Sequence, residues 1–97
     1  MENKSSARMP HAPLTSAQIR AARALLRWSA AELARQASLG LATIQRAELS
    51  EHETSMTVAN ELAVRRALES AGVEFIDANG GGPGVRLRTW TPKNSAK

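Results

Sequence analysis

Few side chains in this 97-residue sequence have the types and spacing that covalent chemistry needs. Ser29, His52 and a nearby acid can be strung together on paper as nucleophile, base and orienter. All of them fall in predicted caps or loops, and no sharp strand-to-helix turn presents the serine, so no catalytic residue is assigned and no enzyme is expected. His11 and His52 stand alone. With no cysteine, no histidine pair and no HExxH spacing, neither a metal site nor a cofactor is expected. The glycines from Gly80 to Gly84 lack the helix and the Lys-Ser/Thr pair that follow a phosphate loop, and Val85-Arg86-Leu87 looks extended, so they read as a flexible hairpin tip. What remains is guanidinium chemistry. An arginine grips paired acceptors with two parallel hydrogen bonds, whether on a carboxylate, a phosphate or the O6/N7 edge of guanine.

The placement of charge supports that direction. From Arg20 to Arg46 five arginines (20, 23, 27, 35 and 46) stand against Glu32 alone, a local +4. From Ala47 to Asn79, Arg65 and Arg66 face seven acids, a local −5, and from Gly80 onward four basic residues restore +4. A basic first half is what a phosphate-facing module requires. No apolar run approaches the ~20 residues that span a bilayer, and Met1 to Pro13 lacks the apolar stretch of a signal peptide. The expectation is a soluble, cytoplasmic protein with no membrane partner.

These side chains need helices to position them. Thr15 and Gln18 have the spacing of a capping box and open a first helix to about Arg27, with Ile19, Ala22 and Leu26 on one face. Ser29 and Glu32 repeat that spacing and open a second helix, Ala30 to Ala37, with Leu33, Ala34 and Ala37 inward. Leu39-Gly40 interrupts the pattern. A third helix follows from about Leu41 to Leu49, with Ile44 and Ala47 inward. After a polar loop from Ser50 to Ser55, a fourth helix runs from about Thr57 to Ser70, its clearest apolar stripe being Val64, Leu68 and Ala71. Gly72 suits the left-handed residue that closes a helix. The period then changes: Val73 to Ile76 and Val85 to Arg88 read as strands joined by a Gly-Pro turn. Residues 1–13 read as a disordered tail, 14–72 as the helical domain, 73–88 as a hairpin suited to dimerisation, and 89–97 as a frayed tail.

The second and third helices meet the physical needs of a helix-turn-helix, a unit that fits the major groove. Ala34 is small where the helices cross. Ser38 tolerates an unusual backbone conformation at the corner, and Leu39 follows as an apolar plug. Ile44 is an anchor flanked by Thr43 and Gln45-Arg46. With Arg-x4-Trp-Ser (23 to 29), Glu-Leu-Ala (32 to 34) and Ala-Thr-Ile-x-Arg-x-Glu (42 to 48), the stretch from about Ile19 to Gly72 resembles the Cro/phage-repressor-type (Xre) family of regulators. The ending Gly-Val-Glu-Phe-Ile through Gly-Gly-Gly-Pro-Gly-Val-Arg-Leu-Arg resembles a short bacterial subgroup. The resemblance implies a mainly α, four-to-five-helix Cro/repressor-like domain followed by a short C-terminal β-hairpin.

It also implies roles for particular residues. Leu41, Ala42 and Arg46, with Thr43 and Gln45 beside them, map to base-reading positions on the stretch Leu41 to Glu48. Ser29, Ala30 and Gly40 map to phosphate contacts, and Arg23 and Glu48 to a bracing ion pair. The sequence departs from the family pattern at Ala30, where glutamine is frequent, at Ser38 (glycine), at Gly40 (a capping hydroxyl) and at Leu41 (polar residues). Glu51 and Glu53 also stand in a loop that is often basic, where they oppose phosphate attraction. The implied partners are double-stranded DNA and a second copy of the chain. The alternative is an antitoxin-like or other protein-interaction module, whose partner would be held by the fourth helix, within the acidic stretch after Ala47, and the hairpin. Trp28 reads as a core residue between the first two helices, and Arg20, Arg27 and Arg35 as a solvated face. Three aromatics in all leave too few exposed rings for RNA recognition by stacking.

Overall fold

A computed structural model describes residues 12–50, 54 and 56–89. Among them four helices precede one hairpin: α1 (Ser16–Leu26), α2 (Ala30–Ala37), α3 (Leu41–Leu49), α4 (Val58–Ser70), β1 (Val73–Ile76) and β2 (Gly84–Leu87). The chain is thus mainly helical with a two-stranded antiparallel sheet. No helix among the described residues is long and apolar enough to cross a membrane.

The helix starts follow from local hydrogen bonding. Thr15 and Gln18 form the capping box, each satisfying the other's backbone amide. Ser29 Oγ accepts from the Glu32 amide at 3.0 Å, and Thr57 Oγ1 accepts from the Asn60 amide at 3.1 Å. The stops of α1 and α2 share one device. Arg27 and Ser38 both take left-handed backbone angles at φ 59°. At each corner one amide reaches back three residues and the next reaches back five, as Leu39 N does to Ala34 O at 2.9 Å. Serine in that conformation carries about 1–2 kcal/mol of strain, whereas glycine would forfeit about 0.5–1 kcal/mol of extra freedom in the unfolded chain. Ser38→Gly is therefore expected to stabilise the domain by up to about 1 kcal/mol in urea unfolding. A loss of stability would show that the hydroxyl makes an interaction of its own.

The core gathers one face of every element. Leu14, Ile19, Ala22, Leu33, Ala34, Ala37, Ile44, Ala47, Val64, Leu68 and Val73 are buried together. Trp28, Leu39 and Phe75 pack half-buried against them. Ala71 departs from expectation: it is exposed and caps α4 rather than lining its inward face. That face is Glu61, Val64, Arg65 and Leu68. The two charged members are buried because they tie down neighbouring backbone. Glu61 Oε2 accepts from the Leu14 amide at 2.9 Å, and Arg65 Nη2 donates to Ala12 O at 3.0 Å. The Arg65 guanidinium also lies 5.2 Å from the centre of the Phe75 ring. Of the segment expected to be a disordered tail, residues 1–11 lie outside the described residues, while Ala12 and Pro13 are exposed. The frayed-tail expectation for 89–97 lies outside them too, apart from Thr89.

The hairpin sits one residue earlier on its second strand than expected. Pairing runs Val73↔Leu87, Glu74↔Arg86, Phe75↔Val85 and Ile76↔Gly84, so Gly84 is in the ladder and Arg88 is beyond it. Arg88 N still donates to Gly72 O at 2.7 Å. The inner face rests on α1, where Gln18 Nε2 donates to Ile76 O at 3.4 Å and to Gly84 O at 3.0 Å. Outside, Arg86 pairs with Glu74 through Nε–Oε1 at 3.0 Å, which holds the Glu74 carboxyl below its ordinary range.

Candidate nucleic-acid interface

The corner between α2 and α3 decides what α3 can present. Ser38 turns the chain, Leu39 packs half-buried, and Gly40 caps α3 without a side-chain hydrogen bond. Gly40 has φ −72°, which any residue can adopt, and an added Cβ would meet nothing within 4 Å. Its missing side chain leaves the first turn of α3 open to close approach. The amides of Leu41 and Ala42 have no hydrogen-bond acceptor among the described residues. At the head of α2, Ser29 is exposed and Ala30 half-buried. Ser29 satisfies only the Glu32 amide there, so Ala30 keeps a donor of its own.

Along α3 the faces separate cleanly. Ile44 and Ala47 are buried at 0% and 1% exposure, Leu41, Ala42, Gln45 and Arg46 are exposed, and Thr43 is half-buried. Four of the five positions that the resemblance implies for base reading are therefore exposed on one helix, with Thr43 at the margin of its buried stripe. Arg46 makes no hydrogen bond or ion pair among the described residues. It lines a shallow cleft of 170 Å³ together with Thr43, Ala47, Met56, Thr57 and Asn60. Glu51 and Glu53, expected to oppose phosphate attraction, lie outside the described residues.

The bracing pair is present and bidentate. Arg23 Nε and Nη2 each donate to a Glu48 carboxylate oxygen at 2.7 Å, and Arg23 Nη1 donates to Trp28 O at 3.0 Å. The Glu48 hydrogen bond raises the Arg23 guanidinium further above its ordinary value, with partial burial opposing it. This pair also tempers the basic first half, since Glu48 lies just past Arg46 and neutralises Arg23. Arg35 is bound to Glu32, whose carboxyl is lowered first by the Gln36 hydrogen bond and then by Arg35.

Two further residues escaped the sequence reading. Ser16 Oγ donates to Ala47 O at 2.5 Å, and Arg20 Nη1 donates to Glu48 O at 2.6 Å. Arg20 is exposed, as expected of a solvated face, and makes this contact from there. The available signal was the spacing 16, 20, 23, which aligns three polar side chains along one side of α1 next to its apolar stripe. Glu61 and Arg65 were missed for a similar reason: four apart on the inward face of α4, they look like an exposed ion pair until their burial is seen. Among the described residues no group of three or more His, Cys, Asp or Glu side chains is placed to hold a metal ion. Compared with family models, curated proteins and solved structures, the chain has no match.

Proposed function

We propose that the chain is a sequence-specific DNA-binding transcriptional regulator of the Cro-like helix-turn-helix type, reading the major groove with Leu41 to Glu48. The carrying observation is the outward side of α3, where Leu41, Ala42, Gln45 and Arg46 are exposed above a fully buried Ile44. A helix held by its inner face with a free arginine on its outer face suits insertion into a groove. Arg46 is the principal reader, gripping guanine O6 and N7, with Gln45 and Thr43 beside it and Leu41 and Ala42 against thymine methyls. The open amides at the starts of α2 and α3, around Ser29, Ala30 and Gly40, suit phosphate oxygens.

A second copy of the chain belongs to this reading. The bond from Arg88 N to Gly72 O sets the phase of the ladder, so that 74/86 and 76/84 are the mutually bonded pairs. The backbone groups of Val73 and Phe75, and of Val85 and Leu87, then point off the two edges, where another strand can pair. Two copies would read half-sites about one helical turn apart.

Binding-site selection on the intact protein tests all of this. An enriched sequence with two related halves is expected, and Arg46→Ala should weaken binding to it by about 1–3 kcal/mol while relaxing one base position. No enrichment, or an unchanged site with Arg46→Ala, would remove the reading. A single unrepeated half-site would remove the second copy.

One observation favours a protein-interaction module instead. Leu49 and Val58, at the end of α3 and the start of α4, are 80% and 60% exposed, and an acidic stretch follows α3. On that reading binding to random duplex DNA would show no steep salt dependence, whereas phosphate contact gives a log–log slope near −0.9 per phosphate.

A further inference from the structure

The last carbonyls of a helix need partners, and α3 finds them differently from α1 and α2. Those two helices end on their own backbone, through the left-handed residues Arg27 and Ser38. Helix α3 ends instead at an extended Ser50, φ −65° and ψ 152°, with no backbone cap among the described residues. Its terminal acceptors are taken by side chains of α1. Ser16 holds Ala47 O at 2.5 Å, Arg20 holds Glu48 O at 2.6 Å, and Arg23 grips the Glu48 carboxylate. Ser16 is buried at 1% exposure, so its hydroxyl contributes nothing at the surface. The two cations also lie at the helix end where the backbone dipole is negative.

We infer that Ser16 and Arg20 are positioning residues for α3, fixing its tilt and thereby the sequence discrimination of its outer face; this rests on the DNA-reading function proposed above. A nine-residue helix is about 13 Å long. A tilt of about 10° around its packed middle moves the first turn by about 1 Å, beyond the ~0.5 Å tolerance of a productive binding geometry. Packing of Ile44 and Ala47 holds the helix down but acts near its middle and leaves rotation about that point. The three clasps along Ser16, Arg20 and Arg23 remove it. Neither Ser16 nor Arg20 needs to touch DNA in this role.

The test uses the intact protein and four variants, Ser16→Ala, Arg20→Ala, Arg20→Lys and Arg46→Ala. Affinity for the selected duplex and for random duplex DNA is measured across a salt series, with thermal unfolding beside it. Arg20→Ala and Ser16→Ala are each expected to lower discrimination about tenfold, the effect of losing one charge-assisted or buried hydrogen bond. The salt slope on random DNA should be unchanged in both. Arg20→Lys, which keeps a donor for Glu48 O, should recover much of the loss. If Arg20→Ala instead lowers the salt slope by about one and keeps discrimination, Arg20 is a phosphate contact and the inference fails. Should either alanine variant melt below the assay temperature, amide chemical shifts of Ile44 to Leu49 in wild-type protein and a free Arg20→Met variant, which keeps the aliphatic stem but has no donor, decide, with identical shifts refuting the clasp. Wild-type protein that selects no sequence defeats the DNA reading itself; wild-type selectivity that survives both alanine changes defeats only the clasp.

Discussion

Ile44→Ala is expected to destabilise the domain by about 2–5 kcal/mol, the range for truncating a fully buried aliphatic side chain. Ile44 is 0% exposed and lies in the core with Leu33, Ala34, Val64 and Leu68. The loss combines the transfer energy of three carbons with the cavity they leave. A domain of this size holds about 5–15 kcal/mol in total, so the change consumes a large share of it. Each kcal/mol moves the midpoint by about 4–8 °C in a small domain, and thermal unfolding should show a fall of roughly 10–30 °C. Leu41→Ala is the matched control: Leu41 is 41% exposed in the first turn of the same helix, and its truncation should stay within about 0.5 kcal/mol. Equal effects from the two changes would mean that α3 does not separate an inner from an outer face, and the proposed interface would lose its basis.

Arg23→Ala is the second large effect, about 2–3 kcal/mol of stability. It removes two short charge-assisted bonds and strands the Glu48 carboxylate, which is only 10% exposed. Full burial would push the cost toward about 3–5 kcal/mol, but the Arg23 side chain is 22% exposed, so solvent softens it. The pair also links three parts of the fold, because Arg23 Nη1 holds Trp28 O between α1 and α2. The double change Arg23→Met with Glu48→Leu should cost clearly less than the two single changes added together, since no unpaired charge remains. Strict additivity in urea unfolding would show that the two side chains do not act as a unit.

How much of this was legible in advance depends on how local the cause was. Helix α2 could be read to the residue, since its start is set by Ser29 and its end by the corner at Ser38, both within a turn of the helix. The inward residues of α3 followed from periodicity alone. The second strand was displaced by one residue because its register is counted from Val73 across the sheet, and glycines around position 84 give no local cue. Arg20 and Ser16 were unreadable for a deeper reason. Whether a hydroxyl or an exposed guanidinium on a short amphipathic helix bonds a carbonyl depends on the packing angle of another helix, which brings that carbonyl within reach. Glu61 and Arg65 belong to the same class: charged side chains buried because distant backbone at Leu14 and Ala12 needs partners. The bracing pair was the exception: two residues 25 apart were paired by the resemblance to the Cro-like family rather than by any local rule.

Gln18 ties together two regions that lie almost sixty residues apart along the chain. Its amide oxygen accepts from the Thr15 backbone at the head of α1, while its amide nitrogen bridges the last pair of the hairpin ladder, beside the turn. One side chain cannot release either obligation without turning away from the other. Fraying of the first turn of α1 and unzipping of the Gly-rich tip are therefore a single opening event, with a common lifetime. Anything that grips the hairpin from outside, a neighbouring strand included, would lengthen that lifetime and slow solvent exchange at amides in a helix it never touches.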